Sequence, residues 1–333
     1  MLAHFSIYLL AATLGQAPAE TTAAWMKAVP SDVDLVLRGR GVEPSSRELI
    51  DMIKAMSPRA AQAAVPAISR SLDQFHKLGG GILDDTSWVS LTRVVPPGPN
   101  GVPFAVLVLK DDYQGVLKSL SNGKEVVVRP QDGGFDALDN TQGKGAMYAF
   151  KGAGFIAFGE DAELIAAIAK PGGKTLDSVL TPGLAKPFFS GDVGMFVNVA
   201  RLATRYADQI AQARQTFMAA LDQAEQKNPN GPRMQGVKGM YGGLFDALQD
   251  ADALALGLDF AAGGLKIAGR LDLKPGADAA QEIAADRNGP AELDKLATGE
   301  AFYIYMNMPA SAVEKMQNMS LRMLTPGGEP SPE

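Results

Sequence analysis

The residues able to do chemistry in this 333-residue chain are few, and their spacing restricts what they can do. Histidine occurs only at His4 and His76, and cysteine is absent. Zinc sites of the usual kind take three or four nitrogen and sulfur ligands, which this chain cannot supply. His76 sits in "DQFHKLGG" with no G-x-S-x-G serine elbow to serve, so it reads as a helix-surface or helix-terminus residue rather than a general base. Acidic neighbours occur at Asp84 and Asp85, Asp111 and Asp112, and Glu160 and Asp161. A glycosidase would need two carboxylates facing a sugar from opposite sides. Adjacent acids at element boundaries are expected to cap helices or face water. "QDGGFDALDNTQG" offers Asp132, Asp136, Asp139 and Asn140 for calcium. There Leu138 stands where an oxygen ligand is required and no Glu closes the loop, so a loop of turn-forming residues is expected.

Phosphate chemistry fares no better. "KPGGKT" (170–175) resembles the end of a phosphate loop, but Ile168 occupies the place of the first glycine and the stretch follows a helix rather than a strand. "GAGFIAFG" (152–159) lacks G-x-G-x-x-G spacing and reads as a hairpin turn. "LGGGILDD" (78–85) reads as a helix C-cap entering a strand. No catalytic, cofactor-binding or metal-ligating residue is assigned, and no cofactor is expected.

The elements that would carry these residues follow from periodicity. "DVDLVL" and "VGMFVNV" are short apolar runs bounded by polar residues and predict strands near 33–37 and 193–199. After the first, Ser45 or Ser46 is expected to cap a helix presenting Leu49, Ile50, Ile53 and Met56 on one face. After the second, Tyr206, Ile210, Phe217 and Leu221 keep helical spacing over about 203–227, a stripe that is either core or a surface for an apolar ligand. Residues 227–243, with Met234, Met240 and Tyr241, read as an exposed loop suited to an irregular apolar partner.

Downstream, 87–120 and 252–284 share one plan: strand, Gly- or Pro-bearing turn, strand ending Leu-Lys, then helix. A third strand is expected at 297–308 and a final helix at 311–324. Adjacent hairpin strands must be antiparallel, so the expected fold class is α+β, with two related halves, each an antiparallel sheet with helices packed on one face. The first repeat domain spans 20–171 and alone carries an extra β-β-β-α block at 125–170. Residues 172–190 are the junction, the second domain spans 190–324, and 325–333 is a tail of disorder-prone composition.

Phe5 to Leu14 is apolar apart from Ser6 and Thr13, and Ala17-Pro18-Ala19 fits a signal peptidase. A signal peptide of residues 1–19 is expected, cut before Glu20, giving an exported chain, periplasmic or extracellular, with no integral membrane segment after cleavage. A net charge of -6 and the lack of a Lys/Arg block exclude nucleic acid as a partner. The "SGDV" strand start, the "YAFKGAGFIAFGED" hairpin into a helix and the "TLDSVL" connection together resemble uncharacterised exported bacterial proteins built from repeated α+β units. That resemblance implies a fold and a location but no activity. The expected function is a non-enzymatic binding or cell-envelope structural role toward an unknown protein or envelope component. The alternatives are a carrier of an apolar ligand or lipid and a carboxylate-dependent hydrolase.

Overall fold

The computed structural model describes residues 7–8, 19–77, 80–93, 104–121, 125–139, 146–227, 235–261 and 264–277. They fall into two units, one from within Met1–Asn198 and Leu254–Leu271, the other from Val199–Ala253 and the residues from Asp272 onward.

The first unit is organised by a sheet of eleven strands: β1 (Ile7–Tyr8), β2 (Leu35–Gly39), β3 (Trp88–Thr92), β4 (Phe104–Val108), β5 (Val127–Pro130), β6 (Asp136–Asp139), β7 (Met147–Lys151), β8 (Ile156–Gly159), β9 (Val193–Val197), β10 (Ala251–Ala261) and β11 (Gly264–Leu273). Their order is β1-β11-β10-β9-β2-β3-β4-β8-β7-β6-β5. Only β1, beside β11, is parallel to its neighbour. The two-residue link between β10 and β11 allows only an antiparallel pair. The α+β, antiparallel expectation therefore holds, but the strands join one continuous sheet rather than two. Its centre is the pair β2 and β9, with Leu35 opposite Val197 and Gly39 opposite Val193.

Helices lie on both faces of the sheet. α4 (Tyr113–Leu120) and the 3-10 turn Gly80–Leu83 enclose Val108, Leu138, Ala149, Ile156 and Phe158 with Ile82, Val116 and Leu117. Alternate residues of a strand point the other way, so Leu107 and Ala157 face α5 (Ala162–Ala169), which packs on β4, β7 and β8 and buries Leu164, Ile165 and Ile168. α7 (Pro182–Phe189) packs on β9. α1 (Ala19–Ala28) rests on α5 and on the single turn α6 (Leu176–Val179), with Trp25 and Val29 fully buried. α2 (Val42–Met56) and α3 (Pro58–Lys77) pack on each other.

Several local expectations change. α2 starts at Val42, ahead of the serines, because Pro44 in a first turn lacks only an N–H that would have no helical partner anyway. Ser46 instead donates its hydroxyl to the Val42 carbonyl at 2.6 Å. Residues 136–139 form β6, not a loop, with Leu138 buried among apolar neighbours. The extra block therefore holds four strands. Residues 172–190 form α6 and α7, with Leu176, Leu180, Leu184 and Phe188 buried. The third strand, the final helix and the tail lie outside the described residues, as do all of 1–19 except Ile7, Tyr8 and Ala19.

The second unit contains α8 (Val199–Arg205), α9 (Ala207–Lys227) and α10 (Gln235–Asp250). The single helix expected over 203–227 is thus broken at Tyr206, and the expected loop is helical from Gln235. The glycines of α10 argue against helix locally. Contacts with α9 override them: Phe217 and Tyr241 rings lie 4.4 Å apart, Arg214 meets Asp246 at 2.7 Å, and Lys238 meets Asp222 and Glu225 at 2.6 Å each. Those two carboxylates raise the Lys238 ammonium above its ordinary pKa.

Candidate functional site

Six of the acids singled out by sequence, Asp84, Asp111, Asp112, Asp136, Asp139 and Asp161, bind the protein's own backbone and side chains. Asp112 caps α4 through the Gly115 N–H at 2.9 Å, and Asp161 caps α5 through Glu163 and Leu164 at 3.0 and 3.1 Å. Asp111 accepts from the Gly154 N–H at 3.2 Å, where φ of +75° turns the β7–β8 hairpin as expected. Asp84 and His76 Nε2 are 2.9 Å apart. Asp136 accepts from the Tyr113 hydroxyl, and Asp139 meets Arg129 at 2.6 Å, so these two carboxylates do not converge on a common point. Burial first, then Asp136, raises the Tyr113 hydroxyl above its ordinary range. Among the described residues no three His, Cys, Asp or Glu gather as metal ligands. Gly172 and Gly173 border open space after the α5 cap, and Thr175 is held by its Oγ1 on Asp177 at 2.6 Å. His4, Asn140 and Met234 lie outside the described residues, and Met240 is placed only as part of α10.

A different constellation is assembled at one end of the central strand pair. One register step beyond Gly39 and Val193, Arg40 stands opposite Asp192, and the Arg40 N–H donates to the Asp192 carbonyl at 2.9 Å. Asp192 is fully buried. Its Oδ2 accepts from the Phe260 N–H at 2.8 Å, and its Oδ1 lies 2.8 Å from Arg40 Nη2. That second contact is an ion pair without the alignment of a hydrogen bond, because Oδ1 receives no well-directed N–H. Arg40 also meets Glu48 of α2 at 2.7 Å. Burial and the Asp192 carboxyl push Glu48 above its ordinary pKa, against the opposing pull of Arg40.

Arg38, two residues back on the same strand face, closes the other side of the group. Its Nη1 donates to the carbonyls of Gly191 at 3.3 Å and of Phe188 and Phe189 at 3.5 Å, and its guanidinium lies 5.5 Å from the centre of the Phe189 ring. A cation on the last carbonyls of α7 complements the helix dipole. Glycines make the approach possible. Gly194 faces Arg38 on one side and Gly257 on the other, and a Cβ on either would overlap a carbonyl oxygen of Phe188 or Pro187. Burial and Arg40 lower the Arg38 pKa, while Asp192 works the other way.

The other end of the strand pair has a second fully buried aspartate, Asp34. Its N–H donates to the Thr92 carbonyl at 3.0 Å and its carbonyl accepts from Asn198 at 2.9 Å, while the Asp192 N–H donates to the Leu258 carbonyl at 2.8 Å. The backbone arrangement is the same at both ends.

Sequence reasoning passed over Arg38, Arg40, Glu48 and Asp192. A signal was available: an arginine alternating with Val36 on the buried face of a strand demands a partner. Chemically the group is two cations and two carboxylates, formally neutral together. It has one acid with solvent access, Glu48 at 41% side-chain exposure. The chain matches no protein-family model, no curated protein and no solved structure. Fold and site define its class: an α+β protein on one antiparallel sheet whose central strands are joined by an ion cluster built around the buried Asp192.

Proposed function

We propose that this is an exported protein acting without catalysis, as a binding or cell-envelope structural component. One observation carries the reading: Arg40 is already engaged by Glu48 and by the buried Asp192, so its guanidinium is not left free to draw an ionic substrate. No helix among the described residues is long and apolar enough to cross a membrane. Cleavage before Glu20 would fall at the start of α1, remove the two-residue strand β1 at the sheet edge and retain the fully buried Trp25 and Val29. Intact mass of the protein from a non-cytoplasmic fraction tests export, and a chain still starting at Met1 there would remove that part of the proposal.

The proposal includes a duplication joining 34–39 with 88–92 to 192–197 with 254–258. It is supported by the shared order strand, helices, hairpin, and by the matched hydrogen bonds of Asp34 and Asp192. Superposition tests it: strands that fail to overlay together with both aspartates would dispose of it.

A second reading, a carboxylate-dependent hydrolase, is favoured by the raised Glu48 carboxyl beside Asp192, since an acid whose pKa lies above the ordinary carboxylate value is better placed to act as a general acid. Assays on glycosides, esters and peptides with the full chain and Glu48→Gln decide between the two. Turnover abolished by that single change would establish the second reading and overturn the first.

A further inference from the structure

Among the described residues, the β5 edge of the sheet is left open to a partner. β5 ends the sheet, all four of its residues are exposed, and no described strand lies beyond it. Val127 and Val128 are among the large apolar residues most open to solvent. An edge strand offers a row of unpaired backbone groups, the template for strand addition.

Which groups point outward can be derived. The Gln131 N–H donates to the Phe135 carbonyl at 2.8 Å, and the Gly134 N–H donates to the Gln131 carbonyl at 3.0 Å with Gly134 at φ +81°. This is a three-residue hairpin with a bulge glycine, and it makes residues 131 and 135 a hydrogen-bonded pair. Such pairs recur every second residue in an antiparallel ladder. With Val127 opposite Asp139 and Arg129 opposite Ala137, the odd residues of β5 direct their backbone groups to β6. Val128 and Pro130 therefore direct theirs away from the sheet, and Val126, immediately before β5, does so when the extended strand continues through it. Pro130 has no N–H to leave unpaired, as suits a strand edge.

We infer that this edge pairs with β5 of a second copy of the chain, antiparallel about a two-fold axis through Val127. The sequence "EVVVR" (125–129) is complementary to itself in that register alone: Glu125 meets Arg129 of the other copy at both ends, Val126 meets Val128, and Val127 meets itself. The backbone agrees, because Val126 and Val128 are the outward-pointing residues and exchange four hydrogen bonds across the axis. Side chains alternate along a strand, so Glu125, Val127 and Arg129 share one face and the opposite charges fall side by side. Arg129 is 63% exposed while held by Asp139, which positions it without using up its guanidinium. A five-residue ribbon buries less than the roughly 1,000 Å² of a stable interface, so the dimer forms reversibly and at high concentration.

Sedimentation of the full chain across a wide concentration range tests the inference. The mean mass should climb from monomer toward dimer at high micromolar concentration. Glu125→Arg and Arg129→Glu should each weaken association at least about tenfold, the factor that corresponds to ~1.4 kcal/mol. Mixing the two variants should restore it, because the mixed pair again opposes Arg to Glu at both ends. Val128→Pro removes an N–H that β6 does not use, so it should abolish dimers while circular dichroism stays unchanged. If that variant fails to fold, the charge variants and their mixture still decide. A chain that stays monomeric throughout, or a dimer insensitive to Val128→Pro and Glu125→Arg, overturns the inference.

Discussion

Replacing Arg40 by methionine is the most direct probe of the ion cluster. Methionine keeps the aliphatic stem and removes the charge 2.8 Å from a carboxylate that has no solvent exposure. Breaking a buried pair by removing one partner typically costs about 3–5 kcal/mol, because the remaining charge is left uncompensated. Two features place this case near the lower end. Arg40 itself is 45% exposed, so part of its attraction is screened by water, and the Phe260 N–H still supports Asp192 Oδ2. Arg38 also acts on Asp192 through space. The expected loss is about 3 kcal/mol at neutral pH, a fall in Tm of roughly 6–12 °C for a unit of this size. The cause can be isolated with a double-mutant cycle. Asp192→Asn removes the stranded charge while keeping an oxygen for Phe260, so adding it to Arg40→Met should cost far less than the sum of the two single changes. Thermal melts followed by circular dichroism provide the measurement. If Arg40→Met melts within about 2 °C of the parent, or if the two losses simply add, the cluster does not hold the strand pair together.

Glu48 should make the protein unusual in acid. Its folded pKa is raised, so the native state holds this proton more tightly than the unfolded chain, whose Glu titrates near ~4.3. Stability from this group is therefore fully present below the unfolded value and lost as pH rises through the folded one. The parent should gain on Glu48→Gln as pH falls toward the ordinary Glu value, and parallel Tm curves would refute the assignment. Gly194→Ala should cost about 3 kcal/mol, at the upper end for overpacking, whereas Gly172→Ala, facing open space, should stay within about 0.5 kcal/mol; denaturant midpoints compare them. Asp161→Ala should cost about 1 kcal/mol by removing the α5 cap, and an unchanged melt would contradict the two hydrogen bonds assigned to it.

What was legible in the sequence was local. Asp112 and Asp161 cap helices because an acid before an apolar helical run has orphan N–H groups within reach, a relation contained in three or four residues. The β7–β8 turn at Gly154 and the antiparallel sense of the hairpins are equally local. The elements misjudged were those whose local preference lost to tertiary contact. "DALD" has the composition of a turn, yet it is a strand because β5 and β7 flank it and Leu138 enters an apolar cluster. α10 carries glycines that weaken any isolated helix, yet Tyr241 and Lys238 anchor it to α9.

The ion cluster was hidden for a different reason. "RGRG" and "SGDV" lie about 150 residues apart, and each is unremarkable alone. They meet because β2 and β9 pair in one register, which puts Arg40 against Asp192 and leaves Arg38 facing Gly194. A slip of one residue would turn Arg38 to the opposite face and leave Asp192 without its cation. The pairing of Arg40 with the buried Asp192 thus singles out one register among the several that two short apolar strands would otherwise tolerate. That is the specificity role best attested for buried polar groups. It also explains why Gly194 and Gly257 sit together. A helix end can deliver its carbonyls to Arg38 only over a floor without side chains, and the register that pairs the charges also aligns the glycines.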